Sequence, residues 1–127
     1  AAIVGNVKMV DGCHLWKIEV ATYNANRGWI CFGFAEERLC GDMENFPYEK
    51  SIGFSTYRQP YNMNVLGALT EYDNKVFLCK LDLDNGVFTI SHNDNVIVKS
   101  KNSLMNKVFL PFVCMSTRNN TDKMSIA

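Results

Sequence analysis

Two histidines, five cysteines and a short run of carboxylates are the residues of this 127-residue chain best suited to chemistry. Cys13 and His14 adjoin as a thiol and a base, but neighbours in a strand point to opposite faces, and no carboxylate is patterned near His14. His92 is equally isolated, and no G-x-S-x-G elbow occurs. Glycoside chemistry needs two facing carboxylates. Glu19, Asp82 and Asp84 are better explained by an exposed sheet face and a turn. Asp82-x-Asp84-Asn85-Gly86 has the start of a calcium loop, yet its Gly stands fifth instead of sixth and the twelfth position is Asn93, not a bidentate Glu. Cys13, Cys31, Cys40, Cys79 and Cys114 include no pair at zinc-ribbon spacing. The sequence therefore predicts no catalytic residue, no metal site and no cofactor, and the chain is expected not to be an enzyme.

Aromatic and basic side chains in polar surroundings are the other residues with something to do. Trp16 and Trp29 stand in apolar strands, where core packing accounts for them. Tyr57, Arg58, Tyr61 and Tyr72 lie in a polar segment in which aromatic burial has no evident purpose, and Tyr and Arg are enriched at binding hot spots. Folding back over the edge of the core is the alternative for these tyrosines. Tyr23, Arg27, Asn93 and Arg118 fall in the neighbouring polar turns and complete the predicted partner-binding set.

The elements that would position these residues are short strands. Phe77, Cys79, Leu81 and Leu83 alternate with Val76, Leu78, Lys80 and Asp82, and Phe88 and Ile90 alternate with Val87, Thr89 and Ser91. Asn85-Gly86 between the two runs predicts a hairpin over 75–92 closed by a two-residue type I′ turn. Trp16, Ile18 and Val20 alternate with Lys17 and Glu19, the pattern of a sheet packed on one side. Val4, Val7, Met9 and Val10 suggest a first strand turned into the second by Asp11-Gly12. Trp29 to Ala35 is continuously apolar, hence a strand buried on both faces, with Gly33 marking a bulge or a close backbone approach. Residues 36–50 read as loop with one helical turn near Glu36–Leu39. Strands follow around 51–55, 96–98, 108–115 and 124–126, and Pro111 suggests an edge or a bulge in its strand. Residues 56–72 form a connection long enough to be functional. No helical period persists, so eight or nine short strands read as an all-β, antiparallel two-sheet β-sandwich.

Composition sets the outer limits. The length and 47% hydrophobic content suit one domain, residues 1–127, with one core. Thirteen basic and thirteen acidic residues leave no long-range field to attract nucleic acid or an anionic membrane. Apolar runs fall short of the roughly 20 residues of a membrane helix, and no signal peptide opens the chain. Cys31, Cys79 and Cys114 lie inside apolar strands and are expected to be buried and reduced, which suggests an intracellular, cytoplasmic setting. Asn119-Asn120-Thr121 matches a glycosylation sequon that chance explains equally well. The start at Ala1-Ala2 and the end within a strand suggest a fragment of a larger protein.

Three stretches, in order and spacing, resemble the SPRY family, the core of PRY-SPRY domains: Gly12 to Val20, Gly28 to Ala35, and Val76 to Ile90 with its leucine-aspartate hairpin. The PRY segment's leucine-aspartate-proline motif is absent, and Lys17 stands where the family usually carries an acidic residue. The resemblance implies a bent, concanavalin-like jelly roll without catalytic activity, an adaptor-like module that binds a peptide segment or folded partner through loops at one end. Substrate recruitment, for example to a ubiquitin ligase, or scaffolding would be its use. Because the same architecture occurs in lectins, a carbohydrate-binding module is the alternative. Neither reading includes nucleic acid or membrane as a partner.

Overall fold

The computed structural model describes residues 2–22, 28–40, 51–55, 63–65, 75–101, 107–117 and 123–126. Ten strands lie in these residues: β1 (Ala2–Val4), β2 (Cys13–Thr22), β3 (Gly28–Glu36), β4 (Ile52–Ser55), β5 (Met63–Val65), β6 (Lys75–Asp82), β7 (Val87–His92), β8 (Asn95–Lys101), β9 (Phe109–Thr117) and β10 (Lys123–Ile126). One sheet has the order β1-β9-β3-β4-β5 and the other β10-β2-β6-β7-β8. We call them sheet A and sheet B. Every pairing is antiparallel except the short β4–β5 contact, which is parallel. The expected all-β two-sheet sandwich is what forms, with more strands than the eight or nine read from the sequence and a single 3-10 turn at Glu37–Leu39.

Period-two alternation decides which side chains meet between the sheets. Trp16, Ile18 and Val20 of β2, Phe77, Cys79 and Leu81 of β6, and Phe88 and Ile90 of β7 face Ile30, Phe32, Phe34 and Phe54 of sheet A in one buried cluster. Phe32 meets Phe77 at 5.3 Å between ring centroids, and Phe34 meets Phe88 edge-on at 4.9 Å. Each fully buried Phe contributes roughly 1.5–3 kcal/mol by area, so these rings fasten the two sheets together. Trp16 stacks on Phe88 at 5.9 Å, which assigns it to the core. The side chain of Trp29 lies outside the described residues.

Strands β3 and β9 of sheet A are buried on both faces. Cys31 and Ala35 of β3 and Phe112 and Cys114 of β9 point away from the inter-sheet core and are still buried, as the unbroken apolar run of β3 predicted. Gly33 stands opposite Gly53 in the β3–β4 ladder. A Cβ on Gly33 would fall on the Ile52 carbonyl oxygen and 2.6 Å from the Gly53 Cα, so the expected close backbone approach is present. Sheet B differs: its inner face is buried, while Leu15, Lys17, Glu19, Val76, Leu78 and Lys80 are exposed on the other.

Four local expectations need correction. The expected connection over 56–72 contains β5, which adds to sheet A by pairing in parallel with β4. The hairpin over 75–92 forms, but its turn spans Leu83 to Gly86, and only Gly86 has positive φ (68°). The Asp82 carboxylate accepts both the Asn85 backbone N–H (3.2 Å) and its Nδ2 (2.7 Å), holding Asn85 outside the left-handed region that type I′ geometry would require. The two-residue turn with both central residues left-handed lies instead between β7 and β8, at Asn93 (φ 50°) and Asp94 (φ 65°).

The segment before β2 is not the first arm of a hairpin. Met9 is buried and bridges to Phe109 in sheet A, Val7 and Val10 are exposed, and the chain then crosses at Gly12 (φ 73°) into sheet B, where β2 pairs with β6. Pro111 sits in a strand that runs between β1 and β3, not at an edge. Its carbonyl accepts the Gly5 N–H (2.8 Å), so its missing N–H faces the side on which the β1 ladder has already ended at Val4.

Candidate functional site

The described strand ends define one end of the sandwich at which several connections start or finish. Because Val20 pairs with Lys75, Thr22 with Lys123 and Gly28 with Thr117, the exits of β2 and β9 lie level with the entries of β3, β6 and β10. Cys31 pairs with Ser55, which brings the exit of β4 to the same end, and β5 runs parallel to β4. The Phe32–Phe77 contact fixes the two sheets so that these ends coincide. Chain segments 23–27, 56–62, 66–74 and 118–122 are each attached there by at least one end.

Tyr23, Arg27, Tyr57, Arg58, Tyr61, Tyr72 and Arg118 belong to those segments and lie outside the described residues. Asn93 is described. It occupies the exposed β7–β8 turn at this end, where its side chain meets the His92 ring (Nδ2 to Nε2, 3.2 Å). His92 Nδ1 in turn donates to the Val76 carbonyl at 3.1 Å, and its ring packs 5.4 Å from Phe77. Together these contacts tie the turn to the first residues of β6. Sequence reasoning weighed His92 as a catalytic base or metal ligand and placed it in the polar cluster that ends the hairpin, without giving its side chain a structural part. The signal for its structural part was present in its place at the strand's end, directly before two residues able to take positive φ.

Of the remaining groups singled out for chemistry, Cys13 and Glu19 are exposed on β2, and His14, Asp82, Asp84 and the buried cysteines are held in structural contacts. His14 Nε2 bonds the Asp11 carbonyl (2.7 Å), three residues away at the start of β2. At the opposite end of the sandwich, Asp84 accepts the Gly12 N–H at 3.2 Å. The hydrogen bonds from Asn85, with Lys80 a lesser cause, keep the Asp82 carboxyl below its ordinary range. Cys31 stands opposite Cys114 in the β3–β9 ladder, and their hydrogen bond followed by burial pushes the Cys31 thiol far up. Burial alone raises that of Cys79. All five cysteines are free, with Cys31, Cys79 and Cys114 buried as expected. Thiols held protonated in this way are poor nucleophiles. Among the described residues no three His, Cys, Asp or Glu side chains gather to hold a metal, and no helix is long and apolar enough to cross a membrane.

No protein-family model matches the chain, and no curated protein matches it by sequence. Among solved structures it is similar to the SPRY domain of human HERC1, with a TM-score of 0.73 and 15% identity, covering 99% of this chain and 80% of that one. The likeness extends over both sheets and agrees with the three sequence stretches that carry the resemblance. This chain is built on the SPRY-domain fold.

Proposed function

We propose that this protein is a non-catalytic protein-interaction module that binds a peptide segment or folded partner at the loop-bearing end of the sandwich. The observation that carries the reading is the convergence of the exits of β2, β4 and β9 with the entries of β3, β6 and β10 on one end of a scaffold locked by aromatic contacts. A rigid sandwich can hold connections attached to it at little entropic cost. The SPRY-like fold supports the same reading by analogy, since fold alone does not fix function. Tyr57, Arg58, Tyr61 and Tyr72 are the proposed anchors, flanked by Tyr23, Arg27, Asn93 and Arg118. Within a longer protein such a module would recruit a substrate or scaffold an assembly.

A peptide-display selection run beside a glycan array tests the reading. Protein ligands should emerge, and truncating an anchor to Ala should weaken binding by about 2 kcal/mol, roughly thirtyfold, with thermal stability nearly unchanged. Enrichment on glycans alone would replace it with the lectin alternative. Loss of stability in all four anchor variants would make those residues structural.

A further inference from the structure

The outer face of sheet B is the one broad described surface that carries aliphatic side chains in water. Leu15 (62% exposed), Val96 (61%), Val76 (44%) and Leu78 (39%) all project from it. Their registers make them neighbours. Leu15 stands opposite Lys80 and Lys17 opposite Leu78, so Leu15 and Leu78 lie on adjoining diagonals, and Val76 follows Leu78 on the same strand face. Leu78 pairs with Ser91, which pairs with Val96. A solvated sheet face ordinarily alternates polar residues there.

Charge on this face is weighted towards lysine. Lys17, Lys80 and Lys99 stand among the aliphatic positions, with Lys101 further along β8, and all four are exposed. None of them makes an ion pair among the described residues. Lys80 and Lys99 flank Thr89 in a single row across three strands. The acidic groups on the face are Glu19, beside Val76, and Asp82, which its hydrogen bonds from Asn85 hold in the ionised form, so four lysines stand against two carboxylates. A protein with balanced overall charge thus presents a lysine-rich, aliphatic-studded face.

We propose that this face docks an acidic protein segment in which Asp or Glu residues are interspersed with Leu, Ile or Val. Across β2 and β6 the pairs Leu15–Lys80 and Lys17–Leu78 form a checkerboard of aliphatic and cationic side chains, which matches a partner with the same alternation and opposite charge. A bilayer surface fits less well, because insertion asks for a continuous apolar ridge with cations at its rim. The face adjoins the loop-bearing end at Val76 and Val96 and runs away from it along β2 and β6 to Leu15 and Lys80, so Leu15, Lys17 and Lys80 tell the two sites apart.

The test uses the 127-residue chain and a soluble synthetic peptide library alternating Glu or Asp with Leu, Val or Ile, beside a charge-inverted library with Lys in the acidic positions. Acidic peptides should bind, and the double variant Lys17→Glu with Lys80→Glu should weaken them about tenfold or more while Lys107→Glu, an exposed lysine beside sheet A, leaves them unchanged. Raising salt from about 0.05 to about 0.5 M should weaken the wild-type complex. Amide shifts in the unmodified protein provide a readout free of any folding defect in the variants, and should extend over Leu15, Lys17, Leu78 and Lys80, away from the loop-bearing end. Equal binding of the inverted library, or shifts confined to the loop-bearing end, would overturn the proposal. Partition onto phosphatidylcholine–phosphatidylserine vesicles without peptide binding would overturn it in favour of a membrane surface.

Discussion

Replacing Gly33 with Ala puts a methyl group where the backbone of the next strand already lies. The new Cβ would sit 2.6 Å from the Gly53 Cα and on the Ile52 carbonyl oxygen, whereas carbon atoms rest at about 3.5 Å or more. Both obstacles are backbone, so no side chain can rotate out of the way. Relief requires β3 and β4 to part by about 1 Å locally, which strains the ladder from Cys31–Ser55 to Phe34–Ile52. Losing two such hydrogen bonds costs roughly 1–3 kcal/mol, and overpacking adds a similar amount, so the destabilisation should reach about 3 kcal/mol. Gly12→Ala is the control. Its Cβ would meet nothing within 4 Å, and only its φ of 73° is unfavourable, at about 1–2 kcal/mol. Urea unfolding followed by circular dichroism gives both values. Gly53→Ala should not add fully to Gly33→Ala, because once the strands have parted the second methyl finds space already opened. A Gly33→Ala variant no less stable than Gly12→Ala, or full additivity with Gly53→Ala, would refute the close approach.

Asp94 holds φ of 65° in the β7–β8 turn, so Asp94→Gly should raise the melting temperature slightly and Asp94→Val should destabilise by about 1–2 kcal/mol in the same unfolding assay. Asn85→Ala removes the main cause of the lowered Asp82 pKa, and carboxyl-carbon NMR should then show Asp82 titrating closer to the ordinary carboxylate range. The sign follows from the depression: the native contact stabilises above the unfolded-state pKa and is lost as pH falls through the folded one, so in the variant that contribution is absent. Timed alkylation of the native protein should modify exposed Cys13 first, half-buried Cys40 more slowly, and Cys31, Cys79 and Cys114 only on unfolding. Early modification of Cys79 would contradict its burial in the inter-sheet core.

How far the fold was legible depended on whether the deciding physics was local. Alternation in β2, β6 and β7 reports directly which side chains face the core, and the unbroken run of β3 reports burial on both sides. Gly33 was legible as a special backbone position, a bulge or a close approach, and its pairing with Gly53 decides for the latter. The turns were less so. Asn85-Gly86 has the better type I′ sequence, yet hydrogen bonds from Asn85 to Asp82 choose another geometry, and Asn93-Asp94 accepts the strained one between two strand ends tied by His92. Val4 to Val10 misled because four apolar residues look alike until Met9 finds Phe109, a partner 100 positions away. Pro111 is tolerated by the point at which another strand stops, which no pattern within β9 records. For the site, the sequence supplied the candidate side chains and strand pairing supplied the end to which their segments attach.

The central claim, that a partner binds at the end of the sandwich bearing the 23–27, 56–74 and 118–122 connections, is tested most directly by amide chemical-shift mapping with a ligand from the display selection. Shifts should concentrate at Thr22, Gly28, Lys75, His92, Asn93 and Thr117, the described residues at that end. The turn from Leu83 to Gly86 and the Glu37–Leu39 turn, at the other end, should stay still. Shifts centred on those two turns, with Asn93 and its neighbours unmoved, would contradict the account.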